Sequence, residues 1–555
     1  MSIGRSGASI TERVNFFADV SFLSGSMILF FVASLFLFSG AAYVLKIPGS
    51  PILFYLCVLS TAALLAFLAL KYFDKKVLPC ALIVLSAVFL FSALSYFFYD
   101  TSYDGQVYHQ ETIVQLARGW NPFFETLSPA NPVEGKMFQW SQNYAKAAEI
   151  AQGCIYMATH RIESGKTVNC LLIFASFFLA VCSLCTLKKM SLRRAILFAA
   201  AAALNPIAVC QAFSYYIDGQ LASLALCLLC LLALFYKRPS AFLSFLVAAG
   251  AIYFINIKFT GVIYFAVMAA GFLAVSLLHK KMEVFKKALV VFTVSGLLGV
   301  FVFGYNPYVR NFKEHGHPFF PIMGEGKVDI MAGNRPIGFD AMTKAQRLWT
   351  SLAAKAATFP EQEVKVKLPL TLSKQEIMEF GFPDIRLGGF GPFFSGALLL
   401  SLIALVLSFA RAKENRTLYA VLLFLLLSVF INPENWWARY VPQLWFAPLL
   451  TVIFAEFGPA AELAKKLTAA VALLILFNVG LIGSFYLYRQ TKNTVRVRHE
   501  LKQLSQMKMP LRVDFSDFRS NRVRFEEYGL QYVEVSGIQG TSTQLISSLA
   551  RVENG

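Results

Sequence analysis

Charged residues are scarce in this sequence. Asp, Glu, Lys and Arg make up 15% of its 555 residues, whereas hydrophobic residues make up 57% and phenylalanine alone occurs 54 times. Such a composition excludes an intrinsically disordered chain and an ordinary soluble domain. Together with a mean hydropathy of +0.59, it predicts a chain whose main solvent is lipid.

Internal repeats, low-complexity tracts and metal-binding cysteine motifs are also lacking. The missing repeat disfavours a transporter built from two matching halves. The pairs Cys182/Cys185 and Cys227/Cys230 lie in apolar segments without neighbouring His or acidic residues. Packing therefore explains these cysteines better than metal binding.

Long apolar segments recur along nearly the whole chain. A helix needs roughly 20 residues to cross about 30 Å of hydrocarbon, and about thirteen segments satisfy this rule. The first is expected to be a retained helix, since no small-residue cleavage site precedes the next span. We therefore predict an all-α polytopic membrane protein. The segments are centred near Leu35, Ala62, Ala87, Phe178, Ala201, Leu226, Leu246, Val267, Gly296, Leu402, Leu425, Pro448 and Leu474.

The distribution of Lys and Arg predicts the orientation, because basic connections stay in the cytoplasm. The connections near Ile47, Asp218, Lys258 and Glu434 carry few basic residues and are assigned to the outer side. The net charge of +18 then reflects topology and contact with anionic membrane lipid, so no nucleic-acid partner is needed. The alternate, basic connections are Lys71 to Lys76, Lys188 to Arg194, Lys237-Arg238, Lys280 to Lys287, Arg411 to Arg416 and Lys465-Lys466.

These patterns divide the chain into three parts. Residues 1–23 form a cytoplasmic N-terminal segment, and residues 24–488 form the transmembrane domain. That domain carries long outer loops at about 98–166 and 305–388, which are expected to form helices over a site. Residues 489–555 begin with a helix-like stretch and then alternate in polarity, which predicts a small extracytoplasmic α/β appendage.

Transfer of a sugar from a polyprenyl phosphate needs few protein groups. Because the phosphate is a good leaving group, a positive partner for it matters more than a general acid. The acceptor hydroxyl is a weak nucleophile, and a carboxylate within hydrogen-bond reach activates it by accepting its proton. Acids and cations that meet at the outer ends of the spans would supply both functions.

The first outer loop places such acids directly after a predicted span, where carboxylates are costly and therefore often functional. We predict Asp104 as the general base, since it lies in a glycine-containing turn that a substrate can approach. Asp100 either orients Asp104 or helps to hold a divalent cation, Mg²⁺ or Mn²⁺, for which His109 is the third ligand. The alternatives are that Asp100 caps the following helix, and that His109 binds a sugar hydroxyl or packs under a loop.

Cations at the outer ends of other spans are predicted to receive the phosphate. Arg439 is preferred over Lys258, because a guanidinium binds phosphate oxygens through two parallel hydrogen bonds. Tyr440 and Asp218 are neighbouring substrate-binding residues, and Asp218 is also a partner for Lys258. Alternatively, Arg439 snorkels or forms a structural pair with Glu434. The interfacial aromatic belt is the default explanation for Trp436 and Trp437.

The second outer loop mixes aromatic residues with Asn, Arg and His between Tyr305 and Pro321. Such residues suit a sugar or pyrophosphate site, so Arg310 is predicted as a further phosphate contact and His317 as a substrate contact. A rigid turn clamped by prolines explains the same pattern equally well.

Taken together, the many spans, the acidic first outer loop, the segment from Asn306 to Pro321 and the late Arg439-Tyr440 resemble membrane glycosyltransferases of the GT-C superfamily. The resemblance covers roughly residues 24–488. It implies a polyprenyl-phosphate-linked sugar donor, a catalytic Asp at Asp104 with Asp100 as the competing choice, and a phosphate contact at Arg439. The Asp-Glu pair of the protein O-mannosyltransferases is absent, because Gly105 follows Asp104.

The resemblance further implies a multi-pass protein of the bacterial cytoplasmic membrane, with its active site on the outer side. The acceptor is then a glycan, a lipid or a protein of the cell envelope. Two other classes stay open. A lipid-linked oligosaccharide polymerase or ligase would rely on Arg310, His315 and His317, and a transporter would place polar residues near the midplane of its helices.

Overall fold

A computed structural model describes residues 10–72, 76–127, 137–188, 190–407, 416–457, 462–507 and 510–553. Several sequence-based assignments therefore fall partly outside the described residues. These are residues 1–9 of the N-terminal segment, residues 73–75, 189 and 411–415 of three basic connections, residues 128–136 of the first outer loop, and residues 508–509 and 554–555 of the C-terminal part.

The described chain is predominantly α-helical. Its α-helices are α1 Ile10–Val44, α2 Pro51–Tyr72, α3 Val77–Phe97, α4 Gln110–Ala117, α5 Met137–Asn143, α6 Ala147–Thr159, α7 Thr167–Lys188, α8 Leu192–Ala203, α9 Pro206–Cys210, α10 Asp218–Lys237, α11 Ala241–Ile257, α12 Phe259–Leu278, α13 Met282–Leu297, α14 Arg310–His315, α15 Lys344–Ala353, α16 Lys374–Glu379, α17 Phe394–Leu407, α18 Arg416–Ile431, α19 Phe446–Phe457, α20 Glu462–Leu504 and α21 Asn521–Glu527.

Eight helices of the described chain are long and apolar enough to cross a membrane, which indicates a membrane protein: α1, α2, α3, α7, α10, α12, α13 and α20. Shorter apolar helices occur at α11, α17, α18 and the segment Pro442–Phe454. Each predicted span centre lies within one of the helices given above. The total of about thirteen spans stays a prediction, because α8 and the shorter helices do not reach the length of roughly 20 residues that a span needs.

Helices α1 and α7 pack along each other at the centre of the bundle. Their sequences are apolar on nearly all sides, as expected for helices surrounded by other helices. A small residue allows the close approach. A Cβ atom at Gly25 would lie 2.8 Å from Leu179 Cγ and 3.0 Å from the Ala175 carbonyl oxygen. The close approach of α1 and α7 therefore needs a glycine at position 25.

The two ends of the bundle differ in charge. Helix α3 ends at Phe97, α10 begins at Asp218 and α11 ends at Ile257, so the two long outer loops and these helix ends gather at one end. The described basic connections, such as Lys237-Arg238, lie at the opposite helix ends. Which of the two ends faces the cytoplasm stays a prediction from the basic connections.

The C-terminal residues form a small α/β unit, as the alternating pattern predicted. Strands β1 Leu511–Asp514, β2 Tyr532–Glu534, β3 Ser542–Gln544 and β4 Arg551–Glu553 form one sheet in the order β2-β1-β4-β3. Strands β1 and β2 are parallel, and α21 connects them. Helix α20 continues through residue 489 and packs its buried Val497 and Leu501 into the apolar core of this unit.

Candidate functional site

Arg439 lies at the centre of a group of charged and aromatic side chains at the outer-loop end of the bundle. It belongs to a short 3₁₀ turn, Ala438–Tyr440, that follows α18. The side chain of Asn432 holds this turn by donating to the Tyr440 carbonyl oxygen at 3.2 Å. Trp436 and Trp437 stack beneath it with ring centroids 5.3 Å apart. The guanidinium is therefore presented by a rigid, aromatic-packed turn.

Three carboxylates surround this guanidinium. Arg439 Nη1 lies 3.2 Å from Asp104 Oδ2 and 3.8 Å from Asp218 Oδ2, and Arg439 Nε lies 3.4 Å from Asp384 Oδ1. Of the three acids, Asp104 has the most exposed side chain, at 21%, and Asp218 the least, at 2%. Burial raises the pKa of Asp384 above its usual value, and the charge of Arg439 only partly opposes this effect. Asp104 is thus the acid that a substrate reaches most readily.

Lys258 adds a second cation to the group. Its Nζ atom lies 2.6 Å from Asp218 Oδ1, so the sequence-based pairing of these two residues is confirmed. Lys258 is a single extended residue between α11 and α12. A Cβ atom at Gly261 would lie 2.2 Å from the Phe254 carbonyl oxygen, so the break between these two helices needs glycine there. The break carries Lys258 over the ring of Tyr440, 4.1 Å from its centroid.

Asp104 owes its position to the glycine that follows it. A Cβ atom at Gly105 would lie 2.0 Å from Asp100 Oδ2 and 2.3 Å from Ser102 Oγ. Only glycine therefore allows the chain to fold back over Asp100 as it enters the helical turn Gly105–His109. The glycine-containing turn predicted to open the site instead serves to pack the backbone at Gly105 against the buried Asp100.

Asp100 itself is buried and faces different partners. Its carboxylate accepts hydrogen bonds from the backbone N–H groups of Ser102 at 2.8 Å and Tyr215 at 3.0 Å. Burial raises its pKa above the usual value. Asp100 therefore ties the Asp104 turn to the segment that carries Asp218, which is a positioning role.

Aromatic rings form the walls around Arg439. The guanidinium carbon lies 4.5 Å from the ring centroid of Trp437, 5.0 Å from that of Tyr216 and 5.3 Å from that of Tyr440. Such stacking stabilises a guanidinium in a desolvated position. Trp437 is 1% exposed and Trp436 is 2% exposed. Both lie inside the protein, so assigning them to an interfacial aromatic belt was wrong.

Three members of this group were missed by sequence reasoning: Asp384, Tyr216 and Trp437. Tyr216 could have been predicted from the sequence, because it lies two residues before Asp218 in an outer connection. Asp384 follows Phe382-Pro383 at the end of the second outer loop, and only the folding of that loop over Arg439 gives it a role. The hydroxyl of Tyr216 also donates to Asp384 Oδ2 at 3.5 Å.

His109 lies in a separate buried cluster. Its Nδ1 atom is 2.6 Å from Glu149 Oε1, and Glu149 in turn interacts with Lys146. The described residues contain no group of three or more His, Cys, Asp or Glu side chains placed to hold a metal ion. The three predicted cation ligands, Asp100, Asp104 and His109, therefore do not gather, because each is held by its own partners.

Lys146 makes the stability of this cluster depend on pH. Burial lowers the pKa of Lys146 to about 7, whereas an unfolded lysine titrates near ~10.4. Between these values the unfolded chain binds more protons, so the free energy of unfolding rises with pH and is reduced as the pH falls to 7. We expect Lys146→Met to flatten this rise, measured as the thermal midpoint at pH 7 and pH 9. The exposed Lys492→Met is the control, and an unaltered slope in Lys146→Met would contradict the expectation.

The predicted contacts in the second outer loop do not reach Arg439. Arg310 donates to the Glu125 carbonyl oxygen at 2.7 Å and to Thr126 Oγ1 at 2.6 Å, and thereby joins the two outer loops. The Nδ1 atom of His317 accepts from the Phe319 N–H at 3.1 Å within its own turn. These contacts fit the proline-clamped structural turn that was the alternative reading.

The alternative pairing of Arg439 with Glu434 is not formed. Glu434 instead accepts from Arg335 at 2.9 Å and from the indole N–H of Trp436 at 2.6 Å. Arg439 instead pairs with Asp104, Asp218 and Asp384.

Comparison with known proteins adds no family to this description. No family model matches the chain, and no curated protein matches it. The basis for a function is therefore the geometry of three carboxylates, two cations and three aromatic rings at one end of a membrane bundle.

Proposed function

We propose that this protein is a membrane glycosyltransferase of the GT-C kind, which moves a sugar from a polyprenyl-phosphate donor to a glycan, lipid or protein acceptor. One observation carries the proposal. Asp104 and Arg439, which are separated by 335 residues in the chain, lie in hydrogen-bond contact at 3.2 Å. A base and a cation in contact are the two groups that transfer to a hydroxyl requires.

The reaction assigns one role to each group. The oxygen of the acceptor hydroxyl attacks the anomeric carbon, and its proton passes to the Asp104 carboxylate. The bond between the anomeric carbon and the phosphate oxygen breaks, and the polyprenyl phosphate leaves with the electron pair. Direct displacement inverts the anomeric configuration. Arg439 and Lys258 stabilise the negative charge that develops on the departing phosphate. The phosphate competes with the Asp218 carboxylate for these two cations.

The polar group around the reaction also positions the sugar. Tyr440, which is half-buried, offers an aromatic face that suits the apolar face of a sugar ring, while Asp384 offers carboxylate oxygens to its hydroxyls. The buried Tyr216 and Trp437 hold the Arg439 guanidinium in place. Asp104 is the base because it is the most exposed of the three acids. No step passes through a divalent cation, since Asp100, Asp104 and His109 have separate partners.

The proposed location is the outer side of a bacterial cytoplasmic membrane, with about thirteen spans. The position of the basic connections at the end opposite Arg439 supports this orientation. A polymerase or ligase built on Arg310 and His317 is less well supported, because both side chains are used in contacts within and between the outer loops.

Mass spectrometry of envelope glycans and lipid-linked sugars tests the proposal. Cells that lack the protein should lose one glycan modification and accumulate the matching polyprenyl-phosphate sugar. Cells that carry the Asp104→Asn form should show the same two changes. An unchanged glycan profile with accumulation of an unrelated solute would instead indicate transport.

A further inference from the structure

A polar cavity lies beside the Arg439 group, on the side of the C-terminal unit. Its volume is about 220 Å³. Helix α20 lines it with Arg489, Gln490, Asn493 and Arg496, and Ser547 of the C-terminal unit closes it. The cavity is smaller than the roughly 300–1,000 Å³ of typical drug-sized pockets, so it suits a headgroup rather than a whole lipid-linked sugar.

Arg489 is the unusual member of this lining. Its Nε atom is buried and has no hydrogen-bond partner in the described chain. No carboxylate of the described chain forms an ion pair with it, and its nearest aromatic neighbour is Phe382, with the guanidinium carbon 5.8 Å from the ring centroid. A buried guanidinium donor without a partner is costly, unless a ligand supplies the missing acceptor.

The surrounding backbone is shaped around this guanidinium. A Cβ atom at Gly381 would lie 2.7 Å from Arg489 Cγ and 2.9 Å from Arg489 Nε. The loop therefore needs glycine at 381 to let the arginine lie where it does. Ser102 also lines the cavity. The Nε–H group of Arg489 is thus an unpartnered donor in a cavity whose backbone is shaped around it.

We propose that this cavity binds a phosphoryl group, as a phosphate ester or a pyrophosphate. Two guanidinium groups, two amides and several hydroxyls give the dense set of donors that phosphoryl oxygens require. Asp100 also lines the cavity, and its carboxylate accepts from the Ser102 and Tyr215 N–H groups. Three carboxylates surround Arg439, so an anion at Arg489 meets one carboxylate rather than three.

The cavity and the Arg439 group share a wall. The side-chain amide of Gln211 donates to Asp218 Oδ2 at 3.4 Å and to the Pro383 carbonyl oxygen at 3.2 Å. Pro383 lines the cavity, and the next residue, Asp384, contacts Arg439. A phosphoryl group bound at Arg489 therefore lies next to the proposed transfer centre.

Binding of inorganic pyrophosphate to the full-length protein in detergent tests the inference by calorimetry. Arg489→Gln should weaken binding about 10-fold or more, because it removes a charge-assisted pair. Gly381→Ala should also weaken binding by displacing the guanidinium. The control is Lys492→Gln, which removes an exposed charge from the same helix outside the cavity and should bind as the wild type does. Wild-type affinity in both Arg489→Gln and Gly381→Ala would overturn the proposal.

A competition experiment then distinguishes the two sources of such a group. Nanodiscs of phosphatidylcholine with and without a polyprenyl monophosphate are titrated with pyrophosphate. Displacement by the lipid assigns the cavity to a lipid headgroup, and lack of displacement assigns it to a soluble phosphate. The inference rests on the proposed function only for the choice of lipid. Binding is measured without turnover, so a protein that binds pyrophosphate but transfers no sugar would count against the transferase proposal alone.

Discussion

Replacing Asp104 by Asn is expected to lower the rate of sugar transfer by about 10²- to 10⁴-fold, which is the usual contribution of a general base. The amide keeps the shape of the side chain and can still accept from Arg439, but it cannot take the proton of the acceptor hydroxyl. Donor binding should therefore persist. The measurement is turnover of a polyprenyl-phosphate sugar by the purified protein in nanodiscs, with donor binding measured separately.

The matched control is Asp340→Asn. Asp340 lies in the second outer loop with its side chain 78% exposed, and within the described residues it pairs only with Arg335. Its substitution removes the same charge from the same end of the protein and should leave turnover unchanged. If Asp104→Asn retained wild-type turnover, Asp104 would not be the base, and the buried or half-buried acids Asp218 and Asp384 would be the next to test.

The sequence indicated the meeting of Asp104 and Arg439 for a simple physical reason. Both residues lie at span ends, and the alternation of basic and non-basic connections assigns span ends to one side of the membrane. Charged side chains at the same end of a narrow bundle therefore lie close to one another. The same argument applies to the pair of Asp218 and Lys258, which the structure confirms.

The roles of Asp100 and Asp384 could not be predicted in this way. Asp100 is four residues from Asp104, and helical periodicity would place both on one face. The chain is instead non-helical from Asp100 to Ser102, so the two carboxylates point to different partners. Asp384 reaches Arg439 through a long loop, and loop paths carry no periodic signal from which a contact could be inferred.

The C-terminal unit contributes directly to the position of the first outer loop. Arg524 of α21 is 1% exposed and donates to Glu163 Oε1 at 2.7 Å and to the Asp100 carbonyl oxygen at 2.6 Å. It also reaches the side chain of Gln106 at 3.1 Å. One buried guanidinium therefore joins α21, the loop that carries Asp104 and the start of the α7 span. The small C-terminal unit therefore contributes to the site by holding the loop that carries Asp104. The contacts given above include none between this unit and Arg439.

We expect Arg524→Met to destabilise the protein by about 3–5 kcal/mol, because it breaks a buried ion pair with Glu163 and leaves that carboxylate to its second cationic partner, the buried Lys166. The loss should appear as a lower thermal midpoint and as faster hydrogen exchange of the backbone amides at residues 100–109. Turnover should fall as well, since Asp104 lies in the segment that loosens. Arg512→Met is the control, because Arg512 is 61% exposed on the same unit and its ion-pair partner in the described part of the chain is Glu553 alone.

An exposed pair such as that of Arg512 contributes about 0–1 kcal/mol, so the two variants separate a buried connection from a general loss of charge. A double variant, Arg524→Met with Glu163→Gln, sharpens the test. Because Glu163 also pairs with the buried Lys166, neutralising Glu163 in this background should lower the stability further, by leaving Lys166 without its carboxylate. Protection of residues 100–109 should not return, because the hydrogen bond from Arg524 to the Asp100 carbonyl oxygen is still missing. Unchanged exchange at residues 100–109 in Arg524→Met would show that the membrane bundle alone holds the Asp104 loop.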